Sequence, residues 1–240
     1  MSASSTFTKE NLDFYLRELG KEYRKRSGGV RAEMILIGGA SVLVNYGFRE
    51  MTTDIDVIYA APSVMKESIR AVGDRLGLPH GWLNTDFMRT DSYTPGLVQH
   101  STYYKTFANV LEVRTVRAEY LLAMKLVSGR RYKKDMSDIV GILLEQSRMN
   151  QPLTYEQIDK AMTELYGDWS RVDDYIKKFL ADVLDAPDLE VMFQKQSEEE
   201  LAAKEVLLEI EQRYPQRLPK GKVGEIIAAA LEKKNAGGKE

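Results

Sequence analysis

Cysteine is absent from all 240 residues. That excludes a disulfide framework, a thiolate nucleophile and a zinc centre held by sulfur, and it fits a reducing compartment. Histidine is nearly absent too. His80 and His100 are the two present, and they lie too far apart for a histidine-rich metal centre. No charge of one sign dominates, because the formal net charge is −2. A chain-wide basic field for nucleic acid is therefore excluded, although a local basic patch is not. Long apolar runs are missing as well. The uncharged stretch 34–48 is interrupted by glycines, Ser41 and Asn45, and is too short and polar to cross a bilayer. Residues 1–8 are rich in Ser and Thr and lack the apolar centre of a signal peptide. A cytoplasmic protein with no membrane partner is expected.

What is present is an ordinary globular balance, 43% apolar and 29% charged, in a chain long enough for one large domain or two modest ones. Helical spacing of Leu12, Tyr15, Leu16 and Leu19 predicts a helix over 8–25, capped by Thr8. A buried strand over 32–37, a short helix over 40–46 and a second strand over 54–59 follow. Pro62 and Ser63 open a helix reaching Leu76. Residues 77–100 read as irregular. Strands over 103–107 and 110–116 then precede helices over 118–128 and 135–147. The alternation predicts an α/β or α+β domain, residues 1–150, on a small sheet; the expected class is α+β, a small mixed sheet flanked by helices. From 151 to 240 the chain reads as an all-helical region. One helix starts at Pro152 and Thr154. A second spans 168–184, with Trp169, Val172, Tyr175, Ile176 and Phe179 as its stripe, and others span 187–213 and 223–234.

Two short segments stand out. The apolar run 34–37 leads straight into Gly38-Gly39-Ala40-Ser41, and Asp54-Ile55-Asp56 follows soon after. Two residues apart on a strand, Asp54 and Asp56 share a face, while Ile55 and Val57 point into a core. Neighbouring carboxylates repel unless a cation lies between them, and magnesium favours one or two carboxylates together with substrate phosphates. Gly38 and Gly39 allow backbone amides close to a phosphate. Ser41, at the start of the next helix, places a hydroxyl where an anion is favoured. Without a ligand, the same residues make a plain turn and a helix start.

Further along, Glu112 shares a strand face with Arg114. It is either a third carboxylate for metal or proton transfer, or one half of an exposed ion pair. Lys125 is the lone charge in the apolar stretch 120–127, so it is paired, snorkels to water, or faces an anion. Arg130, Arg131, Lys133 and Lys134 follow, then Asp135 and Asp138. Trp82 reads as a packing anchor.

Together these segments resemble the active-site layout of the nucleotidyltransferase superfamily, with its polymerase-beta-like fold. The order of Gly38-Gly39-Ala40-Ser41, Asp54-Ile55-Asp56, Trp82-Leu83-Asn84, Ala123-Met124-Lys125-Leu126, Gly129-Arg130 and Lys134-Asp135 through Asp138-Ile139 resembles its AbiEii-type branch over residues 10–180. That branch consists of minimal nucleotidyltransferases, many of them toxins of toxin–antitoxin or phage-defence pairs. The resemblance implies Asp54, Asp56 and Glu112 as catalytic residues and ligands of two Mg2+ ions. It implies Gly38, Gly39, Ser41, Lys125 and Arg130 as nucleotide-binding residues, and Asp138 as a further catalytic residue, with Asp135 as its rival. The expected function is metal-dependent transfer of a nucleoside monophosphate from a nucleoside triphosphate to an acceptor hydroxyl, with an RNA such as tRNA as acceptor and an antitoxin protein as a further partner. The alternative is an inactive nucleotidyltransferase fold that binds a partner protein.

Overall fold

Thr8 opens the first helix as expected. Its side chain accepts from the Asn11 amide, and the Asn11 side chain accepts from the Thr8 amide in return, closing both orphan donors of a capping box. Helix α1, Lys9–Ser27, ends at Gly28, whose φ of +65° suits a left-handed cap. In this computed structural model, residues 6–60, 63–130 and 133–213 are described. Pro62, Arg131 and the helix expected over 223–234 lie outside the described residues.

After α1 come β1 (Ala32–Leu36), α2 (Gly38–Asn45), β2 (Ile55–Tyr59), α3 (Ser63–Leu76), β3 (Leu83–Asn84), β4 (Ser101–Phe107) and β5 (Leu111–Val116). Helices α4 (Ala118–Ser128), α5 (Asp135–Arg148), α6 (Tyr155–Tyr166), α7 (Asp174–Leu184) and α8 (Leu189–Arg213) follow. The architecture is α+β. The chain divides into two compact units. One holds the residues up to Met124 together with Leu153–Trp169, and the other holds Lys125–Pro152 and the chain from Ser170 onward.

In the first unit the sheet runs β3-β2-β1-β5-β4. β1 pairs antiparallel with β2 and parallel with β5, so the sheet is mixed. Met34, Leu36, Ile55, Val57, Leu111 and Val113 are buried in one core with Leu12, Leu16 and Leu19 of α1 and Met65, Ile69 and Val72 of α3. The β4–β5 hairpin turns at Ala108 and Asn109, with φ of +50° and +60°, the doubly left-handed geometry that matches strand twist. β3 is short and was not expected within the irregular segment. It exists because Trp82 is pinned. The indole is 3% exposed, packs near Phe7 and Tyr15, and donates to the Ile69 carbonyl at 3.1 Å. Its own carbonyl accepts from the Ile55 amide at 3.1 Å, which draws Leu83 and Asn84 into register beside β2.

One helix start differs from expectation. α7 begins at Asp174, not 168, because the Asp173 carboxylate accepts from the Tyr175 amide and caps it there. Trp169 is therefore not part of the α7 stripe. It belongs to the first unit, where it stacks on Tyr155 and donates to Asp159 at 2.7 Å.

Candidate active site

The strand β1 ends at Leu36, and Ile37 is the N-cap of α2 without a side-chain cap. The first intrahelical bond of α2 runs from the Ser41 amide to the Ile37 carbonyl, 3.3 Å. The amides of Gly38, Gly39 and Ala40 precede it, as donors at a helix start do. Gly38 has φ +57°, a conformation that favours glycine. A Cβ at 38 would stand 3.6 Å from Oδ2 of Asp56, so the turn and the carboxylate are adjacent. The sheet causes this: the Ile37 amide donates to the Asp56 carbonyl at 2.9 Å, placing Asp56 level with the end of β1.

Ile55 and Val57 are fully buried, and Asp56 between them is half-buried on the other face. Asp54 is exposed and lies just ahead of the β2 ladder. The alternation expected here is present for Ile55, Asp56 and Val57, whereas the strand expected from residue 54 begins at Ile55 and leaves Asp54 outside it.

Ser41 has a different setting. It is fully buried, and its Oγ accepts from the Val116 amide at 3.3 Å. The hydroxyl ties α2 to the end of β5. Glu112 is not brought to the two aspartates either. Parallel register sets Glu112 opposite Glu33, whereas Thr115 is opposite Leu36. The end of β1 near Asp56 is thus level with Val116, roughly 13 Å farther along β5 than Glu112. Glu112 instead accepts from Arg114 at 2.9 Å, the ion-pair alternative read from the sequence. A cavity of about 630 Å3, lined by Arg31, Glu33, Thr106, Asn109 and Glu112 among others, lies at that remote end and includes neither Asp54 nor Asp56. Among the described residues no group of three His, Asp or Glu side chains is placed to share a metal ion. Magnesium needs only one or two protein carboxylates when phosphates complete its shell, and the Asp56 carboxylate beside the glycine turn is one such ligand.

The second unit holds the other expected residues. Lys125 is 4% exposed, and Nζ lies 2.7 Å from both Asp135 Oδ1 and Asp138 Oδ2. Arg130 reaches Asp135 through Nε at 2.8 Å, and the Ser128 hydroxyl donates to the same carboxylate at 2.8 Å. Asp135 and Asp138 both meet Lys125, each at 2.7 Å. Burial alone raises the Asp135 pKa, but the charges of Lys125 and Arg130 outweigh it and hold the carboxyl well below its usual range. Beside this cluster, Glu200 of α8 accepts from the amides of Met136 and Ser137 at 2.9 and 3.0 Å. Sequence reading missed Glu200. Its run of glutamates looks like a solvated helix start, and only the packing of α8 on α5 reveals it.

Residues 15–166 match a family described as a nucleotidyltransferase of unknown function, DUF6036. The chain belongs to this family. The match covers more than half of the chain and includes Gly38, Asp54, Asp56, Lys125 and Asp138. No curated protein and no solved structure matches the chain. As a member of DUF6036, the protein is a nucleotidyltransferase by family, and a nucleoside triphosphate is the substrate that membership implies. Among the described residues, no helix is long and apolar enough to cross a membrane.

Proposed function

We propose that the protein transfers a nucleoside monophosphate from a nucleoside triphosphate to an acceptor hydroxyl, at the turn where Gly38 meets Asp56. One observation carries the reading. The carboxylate Oδ2 stands 3.6 Å from the Gly38 Cβ position, so a helix start that favours phosphate and an acidic side chain that favours a cation face the same space. Asp54 and Asp56 would hold magnesium, which when bound neutralises charge on the triphosphate and on the oxygens gained and lost. The amides of Gly38, Gly39 and Ala40 orient phosphate oxygens. The acceptor oxygen bonds to the α-phosphorus as the bond from α-phosphorus to the bridging oxygen breaks. Pyrophosphate leaves with the electron pair, and the hydroxyl proton passes to a carboxylate. Glu112, remote and paired with Arg114, is not needed for this scheme.

The finer assignment is to the AbiEii-type branch and polymerase-beta-like fold, with an RNA such as tRNA as acceptor and a toxin role beside an antitoxin. Exposed Lys133 and Lys134 and half-exposed Arg130 support an RNA backbone contact. The resemblance also gives Lys125 and Arg130 to the nucleotide and Asp138 to catalysis. Arg130→Gln and Asp138→Asn, each with nucleotide titration, test those roles separately. The main experiment incubates the protein with each labelled triphosphate, magnesium and total cellular RNA and then sizes the labelled product. Transfer is expected with one triphosphate and none with Asp54→Asn or Asp56→Asn. Label transfer that survives both substitutions removes the proposal.

A second reading is an inactive fold that binds a partner protein. Buried Ser41 and the remote Glu112 favour it, as do Val191 and Leu201, exposed on α8 at 62% and 60%. Calorimetry with each triphosphate plus magnesium separates the two, since absence of any binding supports the second.

A further inference from the structure

The two glycines of the turn do different things. Gly38 needs glycine for its positive φ. Gly39 does not have a left-handed backbone, yet a Cβ there would lie 2.6 Å from Nη2 and 2.9 Å from Cζ of Arg49, and 2.8 Å from Oγ1 of Thr52. The space that a side chain at 39 would fill is taken by the link between α2 and β2. The same two residues organise that link. Arg49 Nε donates to the Met51 carbonyl at 3.2 Å, and Thr52 Oγ1 donates to the Asp54 carbonyl at 3.2 Å. Thr52 is 4% exposed, and its amide and carbonyl form a two-bond bridge with Phe7, 2.9 and 2.7 Å.

Asp54 and Asp56 therefore owe their positions to different causes. Asp56 sits inside a sheet ladder, with its carbonyl bonded to Ile37 and its neighbour Ile55 bonded to Trp82. Asp54 precedes the ladder and is exposed. Its carbonyl is held by Thr52, and Thr52 packs with Arg49 on Gly39.

We propose that Arg49 is a positioning residue for Asp54: with Thr52 it clamps the 49–54 link onto Gly39, and Gly39 lacks a side chain in order to receive the guanidinium. The clamp is a statement about the link itself. Only its consequence for catalysis rests on the function proposed above. A planar guanidinium with an Nε–H is required, because a lysine has no flat face for Gly39 and carries a methylene where Arg49 Nε donates to Met51.

The test uses the full chain with Arg49→Ala, Arg49→Lys and, as reference, Asp54→Asn. Amide exchange read by mass spectrometry should quicken in the 49–54 link by about tenfold or more in both Arg49 variants while α1 and β1 keep their protection. Manganese affinity, read by electron paramagnetic resonance, should fall in both to the level of Asp54→Asn. Turnover should drop on the order of 100-fold, the effect of a displaced catalytic group, with KM for the triphosphate unchanged. Arg49→Lys decides the matter if Arg49→Ala does not fold. Unchanged exchange in the link overturns the proposal. So does an Arg49→Lys protein that behaves as wild type while Arg49→Ala only raises KM, since that marks a plain charge on phosphate. A wild-type protein that binds no manganese overturns the metal role of Asp54, and the exchange result then judges the clamp alone.

Discussion

The ammonium of Lys125 and the carboxylate of Asp135 lie 2.7 Å apart with side chains only 5% and 1% exposed. Two charges so fully removed from water persist only as partners. Asp138, also at 2.7 Å from Nζ, and Arg130 join the cluster. Lys125→Met removes the ammonium that both buried carboxylates share. It should destabilise the protein by about 3 kcal/mol or more, read as a lower denaturant midpoint. Adding Asp135→Asn should recover part of that loss, because one of the two buried carboxylates that lost Lys125 is then neutral.

Glu200 responds to pH in the opposite sense from Asp135. Burial raises its pKa to about 7 from 4.5, with Asp138 adding to the effect, although bonds from Ser137 and the Met136 amide oppose it. The folded protein thus holds this proton more tightly than the unfolded chain. Its contribution is complete below about pH 4.5 and is lost as pH rises toward 7. Glu200→Gln should abolish that decline, so its stability relative to wild type should increase across this window by on the order of 3 kcal/mol at most. Asp135 acts in reverse. Its lowered pKa stabilises the fold above 3.8 and that stabilisation fades as pH falls further. Denaturant titrations at several pH values separate the two.

Gly38→Ala should cost about 1–2 kcal/mol through backbone strain at positive φ, not through crowding, since the new Cβ finds ordinary contact at 3.6 Å. Gly38→Asn should cost less, because asparagine tolerates the left-handed region. Thermal unfolding of the two variants provides the comparison.

Trp82 and Gly73 are coupled. A Cβ at 73 would lie 3.1 Å from both Cδ1 and Nε1 of the indole. Gly73→Ala should therefore destabilise the wild type more than it destabilises a Trp82→Phe protein. Trp82→Phe alone should cost about 0.5–1.5 kcal/mol by removing the indole's bond to the Ile69 carbonyl, which keeps its place in the α3 helix. A double-mutant cycle in denaturant measures the coupling.

Much of this was legible in order and spacing. The cap at Thr8 follows from residue type at the start of an apolar stripe, and the inward Ile55 and Val57 and the outward Asp56 follow from the period of 2, which local sequence encodes directly. The packing role of Trp82 followed from its type. Partners distant in sequence were not legible. Ser41 gave no sign that its hydroxyl would meet the Val116 amide, nor Glu200 that it would cap α5. Glu112 sat in a convincing strand pattern, but alternation fixes a face and not the level along the sheet. Register with β1, set by which backbone groups pair, moved it away from Asp56.

By itself, then, the sequence determined the α+β class, the glycine turn, the acidic pair after it and the charged run around Lys125, because each depends on neighbours within a few residues. Folding alone decided that Gly38 stands against Asp56, that Arg49 occupies the place of a side chain at Gly39, and that Leu153–Trp169 groups with the sheet unit. Those outcomes depend on close packing between segments far apart in the chain, where a single register or contact selects among arrangements that local pattern leaves equal.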